Sequence, residues 1–450
     1  MELSGKKAAI IGIGKTGIAT ARFLASRGVR MAVTDAKPSA SWGEARTALE
    51  SLPAELTFAP YGPEILAGVD WVIPSPGIPP ANPILAEAVR RRIPVLSELE
   101  LAARFIKTPI VAITGTNGKT TVTSLVGAIL REAGRKVFVG GNIGDPLIGY
   151  ADDPQAADWA VVEVSSFQLQ WTETFHPRIA VLLNVTTDHV DYHGSFAAYR
   201  AVKEQLFAHQ TAKDLAILNG DEAATANLRG RLQARVELFS SLRPVDSGMF
   251  LSGEKVIHRL PTGETEAYPV SMIHLPGRHN QENVMAAILA ARECGCAPPE
   301  IVRAVEGFRG IAHRIQYSGE KKGILFYDDS KGTNVDAVKR ALESFSRPVI
   351  LLLGGRDKEG DFETLAPLIR RGVKAMVLFG EARGKIEKRL GRTVETVLAA
   401  TLKEAVEQAY GLAASGDVVL LSPGCASFDE FTDYKERGNR FQEWVGQLPG

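Results

Sequence analysis

Short apolar runs alternate with amphipathic stretches along the whole of this chain, the rhythm of strands and helices in turn. Residues 7–11 read as a strand, followed by a Gly-rich loop and a helix to about Arg27. Residues 30–34 return as a second strand, and residues 70–73 form another that ends in the turn Pro74-Ser75-Pro76-Gly77. This first block closes near Glu98. A second block opens on the apolar run 110–113, after which Val122, Leu125, Val126, Ile129 and Leu130 share one helical face. Residues 159–164 and 179–183 read as strands, and residues 283–293 as a helix. Between about Asp214 and Leu275 short strands and turns follow one another in no legible order. A third block, from about Ile311, offers four apolar strands at 324–327, 349–353, 375–379 and 418–421, with helical segments between them. Such alternation predicts an α/β architecture of three domains with mainly parallel sheets. The expected boundaries are 1–98, 99–310 and 311–450, a division that the length of 450 residues accommodates.

Composition narrows the class without naming a chemistry. Lys+Arg and Asp+Glu both number 52, so no global charge points to nucleic acid or an anionic membrane surface. No run of about 18 apolar residues is present to span a bilayer. The three cysteines, Cys294, Cys296 and Cys425, are too few for a disulfide framework, and no secretory signal leads into the first strand. The expectation is a cytoplasmic protein with reduced thiols. Cys294-Gly295-Cys296 lacks the C-x-x-C spacing and is read as structural.

The chemistry concentrates at strand ends. Gly115-Thr116-Asn117-Gly118-Lys119-Thr120-Thr121 lies between a strand and a helix, where Gly-rich backbone and a helix N-terminus together cradle phosphates. Lys119 would reach the β/γ-phosphates of a nucleotide, and the Thr120 hydroxyl would sit on Mg²⁺. A standard phosphate loop has a glycine where this chain has Ile113, so the loop is a shortened G-x-x-G-K-T. Glu163, at the end of a strand in the same block, is a candidate Mg²⁺ carboxylate or else a solvated or capping residue. His189, flanked by Asp188 and Asp191, is a structural histidine or one that ligates a metal or orients a substrate. Lys203 by itself reads as an exposed helix lysine.

In the first block Gly12, Gly14 and Gly17 form a G-x-G-x-x-G fingerprint, with Asp35 about 20 positions on. That pattern specifies a pyrophosphate on a helix N-terminus, which NAD, FAD and nucleotide-sugars all supply. In the third block three polar clusters follow strands: residues 328–334, 354–358 and 422–427. Ligands of open α/β sheets bind beyond the carboxyl ends of strands, so these clusters read as site residues. Lys331, Lys358 and Arg314 there suit carboxylate or phosphate recognition. A nicotinamide-dependent oxidoreductase would use the first fingerprint but leave Gly115 to Thr121 without a task. A non-catalytic nucleotide switch would need no lysines after the third-block strands.

Taken together, these motifs resemble the Mur ligase family over essentially the whole chain. The resemblance rests on the shortened phosphate loop, on Glu163-Val164-Ser165-Ser166, on Asn184 to His189 and on Tyr199-Arg200-x-x-Lys203. It continues through Gly277-x-His279-Asn280-x-x-Asn283, His313-Arg314 and the stretch Asp328 to Asn334. Gly12 to Gly17, Ser75-Pro76-Gly77-Ile78-Pro79 and Ser422 to Ser427 look like the branch that adds D-glutamate. A sister branch, or a folylpolyglutamate-type enzyme, is the nearest alternative, though the latter lacks a leading UDP-binding block.

The resemblance implies a fold of a Rossmann-like UDP-binding domain, a central P-loop ATPase-type domain and a Rossmann-like carboxyl-terminal domain. The implied activity is ATP-dependent addition of D-glutamate to UDP-N-acetylmuramoyl-L-alanine through an acyl phosphate. Lys119, His189 and Lys203 would be catalytic, with ATP held by Gly115 to Thr121 and by Asn283, Arg314 and Asp329. Two Mg²⁺ ions would be held by Thr120, Glu163, His189 and Lys203, the lysine as a carbamate. Gly14, Lys15, Thr16, Asp35, Lys37, Ser75, Gly77, Asn142 and His189 would meet the UDP-substrate. Lys331, Thr333, Lys358, Ser427 and Tyr434 would surround D-glutamate, although the family often has Phe at the last position. The implied partners are small molecules alone, with no nucleic acid and no membrane, acting on a monomer whose third domain closes on the second.

Overall fold

The computed structural model describes residues 2–36, 42–57, 62–152, 157–357 and 360–449. Lys37 and Lys358 lie outside the described residues. Each of the three blocks builds its own sheet. The first contains β1 (Lys7–Ile11), β2 (Arg30–Thr34), β3 (Ala54–Thr57) and β4 (Trp71–Pro74) in the order β3-β2-β1-β4, all parallel. Strand order reverses between β1 and β4, so the Gly12 to Gly17 loop and the turn after Pro74 open on the same crevice. The short β3 was not expected. Its pattern carries little apolar signal because it is an edge strand with no fully buried residue.

The second sheet has nine strands. They are β5 (Ile110–Thr114), β6 (Val137–Gly141), β7 (Trp159–Glu163), β8 (Ile179–Leu182), β9 (Leu215–Asn219), β10 (Arg235–Ser240), β11 (Gly248–Ser252), β12 (Lys255–Arg259) and β13 (Thr265–Pro269). Their order is β13-β12-β11-β10-β9-β8-β5-β7-β6. Every residue of β5 is buried, as a central parallel strand requires. The region with no legible order is the five-strand extension β9 to β13. It mixes parallel pairs with an antiparallel meander, and its outer strands are half exposed.

The third sheet contains β14 (Gln316–Lys321), β15 (Ile324–Asp328), β16 (Val349–Gly354), β17 (Val373–Phe379), β18 (Glu395–Leu398) and β19 (Val418–Gly424). Its order is β14-β15-β19-β16-β17-β18, with β14 antiparallel and the rest parallel. Alternate residues feed two cores. Leu351, Leu353 and Leu420 pack with Val338 and Ile369, while Ile350, Leu352 and Val419 pack with Val406 and Phe441. Helices therefore cover both faces, which is why these strands read as unbroken apolar runs. Only the edge strands β14 and β18 escaped the sequence pattern.

Two compact units result: residues 1–272 with 282–307, and residues 273–281 with 308–450. The first carries two sheets on a continuous apolar core in which Phe23 and Leu24 join Ile110, Leu147 and Val162. The third sheet forms the second unit, joined by the start of the Arg278–Glu293 helix. The domain boundaries read from the sequence remain our proposal. Among the described residues no helix is long and apolar enough to cross a membrane.

Gly17 shows how tightly the first crevice is built. A Cβ there would run into the Gly12 carbonyl oxygen. Gly→Ala in a free helix gains about 1 kcal/mol of stability, whereas overpacking costs about 1–3 kcal/mol. We expect Gly17→Ala to lower stability in denaturant titration; a stabilised variant would mean that the helix lifts off the loop without cost.

Candidate active site

The phosphate loop follows β5, whose neighbours β7 and β8 bring Glu163 and Asn184 alongside it. Gly118 takes φ 87° as N-cap of the Lys119–Glu132 helix, a left-handed turn that glycine enters without strain. A Cβ at Gly118 would strike Asn283 Oδ1, so the Asn283 side chain lies directly over the loop within the first unit. Asn184 Oδ1 accepts from the Asn117 N–H at 2.9 Å, and Asn184 Nδ2 donates back to the Asn117 carbonyl at 3.1 Å. Lys119 Nζ donates to the Gly115 and Thr116 carbonyls, each at 2.8 Å. Thr120 and Thr121 are buried in the first helical turn.

Lys203 departs most from its expectation. It is 1% exposed, buried behind the phosphate loop, and not a surface lysine. Its Nζ donates to the Gly115 carbonyl at 2.9 Å and lies 4.7 Å from the centre of the Tyr199 ring. Burial, and then the Lys119 charge, push this amine well below the usual lysine range, while Asp188 and Glu163 pull the other way. Tyr199 also anchors the loop, with its hydroxyl 3.1 Å from Thr116 Oγ1.

Glu163 is 2% exposed. One oxygen, Oε1, accepts from Asn142 Nδ2 at 2.8 Å; the other, Oε2, is buried and finds no hydrogen-bond donor among the described residues. Leaving such an oxygen unpaired is costly, and a cation would satisfy it. Among the described residues no three His, Cys, Asp or Glu side chains gather into a metal cage. One carboxylate and the Thr120 hydroxyl instead fit Mg²⁺, which keeps several waters and takes its remaining oxygens from substrate phosphates. His189 sits in the left-handed region at φ 50°, with its Nε2 3.6 Å from Asp188.

In the first sheet Gly14 is the N-cap of the Lys15–Ala25 helix, with Lys15 and Thr16 in its first turn. Asp35 Oδ2 accepts from the Ile13 N–H at 2.9 Å, so this carboxylate braces the fingerprint loop. Ser75 Oγ donates to the Gly12 carbonyl at 3.0 Å, and Gly77 takes φ 92° in the same turn. Lys15 Nζ reaches the Gly144 carbonyl at 2.7 Å and Asp145 at 2.9 Å, in the loop that carries Asn142. These residues are brought together.

The second unit gathers the third-block clusters. Because β19 lies between β15 and β16, the three loops that follow them are adjacent. Gly424 N–H donates to the Gly332 carbonyl at 2.8 Å, while Arg356 and Ala426 exchange two backbone hydrogen bonds of 2.9 Å. Lys331 Nζ stands 5.7 Å from the centre of the Tyr434 ring. Thr333 is half-buried beside Lys331, and Ser427 is buried at the end of the neighbouring loop. Arg314 and Arg340, with burial first, push His279 down to about 4, so this imidazole is neutral.

Sequence reasoning missed the residue that holds these loops. Arg437 is fully buried and donates to Ser330 Oγ at 2.9 Å and to the carbonyls of Ser330, Ala426 and Cys425 at 2.8–3.2 Å. The signal was present: Arg437, Phe441 and Val445 share the buried face of the Tyr434–Gln447 helix, and an arginine on an apolar stripe is out of place. The next residue is Gly438, where a Cβ would collide with His313, whose Nδ1 is 2.7 Å from Asp328 Oδ2.

A phosphate loop beside an unsatisfied carboxylate oxygen, with a pyrophosphate-type crevice in the same unit, defines a nucleotide-dependent transferase or ligase. Comparison with known proteins gives the particular family. The MurD-like N-terminal domain of Mur ligases matches residues 6–97, the Mur ligase middle domain 113–291, and the Mur ligase glutamate ligase domain 313–425. The chain belongs to the Mur ligase family. It is 57% identical to the UDP-N-acetylmuramoylalanine--D-glutamate ligase of Syntrophus aciditrophicus, over 99% of this chain and 98% of that one. It is 43% identical to the enzyme of the same name from Geotalea daltonii, over 100% and 99%. Among solved structures it resembles the UDP-N-acetylmuramate-alanine ligase MurC of Thermotoga maritima, with TM-score 0.60 and 19% identity over 98% of this chain and 99% of that one. It also resembles the MurF ligase of Thermotoga maritima in complex with ADP, with TM-score 0.61 and 15% identity over 93% and 95%. These structural likenesses establish the three-domain α/β fold.

Asp329 provides a pH test of the second unit. Burial raises its carboxyl from 3.8 to about 7, against the Ser422 hydroxyl and Arg314. The folded state holds this proton more tightly than the unfolded chain, so the group's contribution is full below about pH 4 and is lost as pH rises through about 7. The swing is about 4 kcal/mol at most, at 1.36 kcal/mol per unit. Asp329→Asn should flatten the fall of stability between pH 4 and 7 in urea titrations; an unchanged slope would show that Asp329 is ionised in the fold.

Proposed function

We propose that this chain joins D-glutamate to the L-alanine carboxyl of UDP-N-acetylmuramoyl-L-alanine at the expense of ATP, a step in building peptidoglycan precursors. The observation that carries this reading is the full-length 57% identity to a ligase of that name. The chemistry of the strand-end loops supports it. The γ-phosphoryl group of ATP passes to the substrate carboxylate, giving an acyl phosphate and ADP. The D-glutamate amine then attacks the acyl carbon, and the tetrahedral adduct expels phosphate to leave an amide.

Each proposed role follows from charge. Lys119 meets the transferring phosphoryl group, and the backbone N–H groups of residues 115–121 cradle the other phosphates. Asn283 packs over this loop and would contact the nucleotide, as would Arg314 and Asp329. Mg²⁺, when bound, would offset the repulsion between two anions that must approach each other. Thr120 and Glu163 would hold one ion, and His189 with a carbamate on Lys203 a second. The amine of Lys203 suits that modification. Carbon dioxide adds to a neutral amine, and burial favours the neutral form here. A bare lysine could not be a metal ligand.

Gly14, Lys15 and Thr16 would face the UDP pyrophosphate at a helix N-terminus. Asp35, Lys37, Ser75 and Gly77 would surround the uridine and its neighbours, with Asn142 and His189 toward the muramoyl group. D-Glutamate brings two carboxylates, which Lys331 and Lys358 would meet, with Thr333, Ser427 and Tyr434 around them. Excluding water from this site protects the acyl phosphate from hydrolysis.

Phosphate release from ATP tests the reaction and the branch together. Release should require both UDP-N-acetylmuramoyl-L-alanine and D-glutamate, with L-glutamate, L-alanine, L-lysine and diaminopimelate inert. Release with another amino acid would move the branch; nicotinamide binding without release would overturn the function. Lys203→Ala should lose at least about 100-fold in turnover, the scale of losing a charge-stabilising group, and short carboxylic acids should restore part of it. Wild-type turnover in that variant would refute the carbamate.

A further inference from the structure

The short helix that begins at His189 is poorly supported by its own sequence. His189 is a non-glycine residue at φ 50° and ψ 31°, a strained conformation that persists only where its surroundings impose it. The helix after it, Val190–His193, is four residues long and stops at Gly194 with φ 79°, too short to stabilise itself. Two side chains of this helix reach outward to hydrogen-bond partners. His193 Nε2 is 3.0 Å from Ser166 Oγ, within the second sheet's own loops. Tyr192 donates its phenol O–H to the Ile78 carbonyl at 3.0 Å, in the turn that follows β4 of the first sheet. Phe167 fills the space between, with its ring centre 4.5 Å from Tyr192 and 4.7 Å from His189.

Ile78 is itself firmly held. Its N–H donates to the Ser75 carbonyl at 3.3 Å, and Ser75 Oγ donates to the Gly12 carbonyl at 3.0 Å. A Cβ added at Gly12 would press on Ser75 and on the Ile78 side chain. Hydrogen bonds and contact therefore run unbroken from the fingerprint loop through the 75–78 turn and Tyr192 to His189, all inside one compact unit.

We propose that Tyr192 is a positioning residue: it ties the turn after β4 to the strained helix start at His189, so that both sides of the UDP-substrate crevice are held as one piece. This rests on the reading above, in which Ser75, Gly77 and His189 face that substrate. Among the described residues its phenol bonds to the Ile78 carbonyl, in the turn proposed to face the UDP-substrate, so its effect is largest on that substrate. Burial pushes the phenol up to about 12, which keeps it an O–H donor throughout the working pH range.

The test is Tyr192→Phe, which keeps the ring against Phe167 and removes only the tether. Binding of UDP-N-acetylmuramoyl-L-alanine is measured by calorimetry without ATP or Mg²⁺, followed by KM for each substrate, kcat and the melting temperature. The expected result is affinity and KM for the UDP-substrate weakened about threefold to tenfold, the size of one neutral hydrogen bond. KM for ATP and for D-glutamate should stay within about twofold, and the melting temperature should fall by only about 1–3 °C, the loss of one hydrogen bond. Unaltered UDP-substrate affinity would overturn the proposal. Equal losses for all three substrates, or a fall in melting temperature well beyond that, would also overturn it by showing a merely structural role. Wild-type turnover in the same assay separates the two levels: its absence refutes the parent function and this inference with it, whereas its presence beside an unaffected variant refutes the tether alone.

Discussion

The carbonyl of Gly115 receives two lysines, and much of the first unit is arranged around that fact. Lys119 approaches from the loop itself and Lys203 from behind, at 2.8 and 2.9 Å. Two ammonium groups on one carbonyl would repel each other strongly in a dry site. Lys203, the buried partner, is the one whose charge is disfavoured. Glu163 presents the opposite defect, an anionic oxygen with no donor among the described residues. An uncharged or carbamylated Lys203 removes the first conflict, and a cation beside Glu163 removes the second. The proposed metal chemistry is thus the arrangement in which neither buried group is left frustrated.

The second unit solves a related problem without a metal. Three loops dense in polar groups leave their strands side by side, and their carbonyls need donors. Arg437 supplies two of the three from inside, with its fork on Ser330, Cys425 and Ala426. Among the described residues no carboxylate forms an ion pair with it, and desolvation lowers it to about 10, still charged at neutral pH. A charge with neutral ligands is a stiff brace, because three of its four partners are backbone carbonyls. Lys331 stands near Tyr434, where the proposed D-glutamate contacts require a positive group.

The sequence exposed the parts of this molecule whose physics is local. Strands buried on both faces, such as β5 and β16, read as unbroken apolar runs, and glycines at strand ends announced the loops. Edge strands β3, β14 and β18 did not, because half-exposed strands carry mixed residues whose pairing is decided by distant partners. Lys203 illustrates the limit at the site. Its helix is amphipathic, and nothing within it reveals that a lysine lies on the buried face behind another strand's loop. Family resemblance, not pattern, singled it out. Tyr192 gives no local signal for the same reason, its partner being 114 positions away, whereas Arg437 stands out as a charge on an apolar stripe.

Fold and branch are therefore legible at different levels. Solved relatives at 15–19% identity share these sheets while carrying the names of ligases with other specificities. The sheets offer places for ligands at strand ends, by our proposal at the strand-order reversal in the first sheet and beside β5 and β19 in the others. They do not fix which amino acid is accepted. That choice must lie in the loops, where a few side chains set charge spacing against the incoming carboxylates. In this chain we propose the residues from Lys331 to Thr333 and from Ser427 to Tyr434, beside loops that Arg437 holds in place. A shared fold therefore predicts little about specificity, which rests with the few side chains that the loops carry.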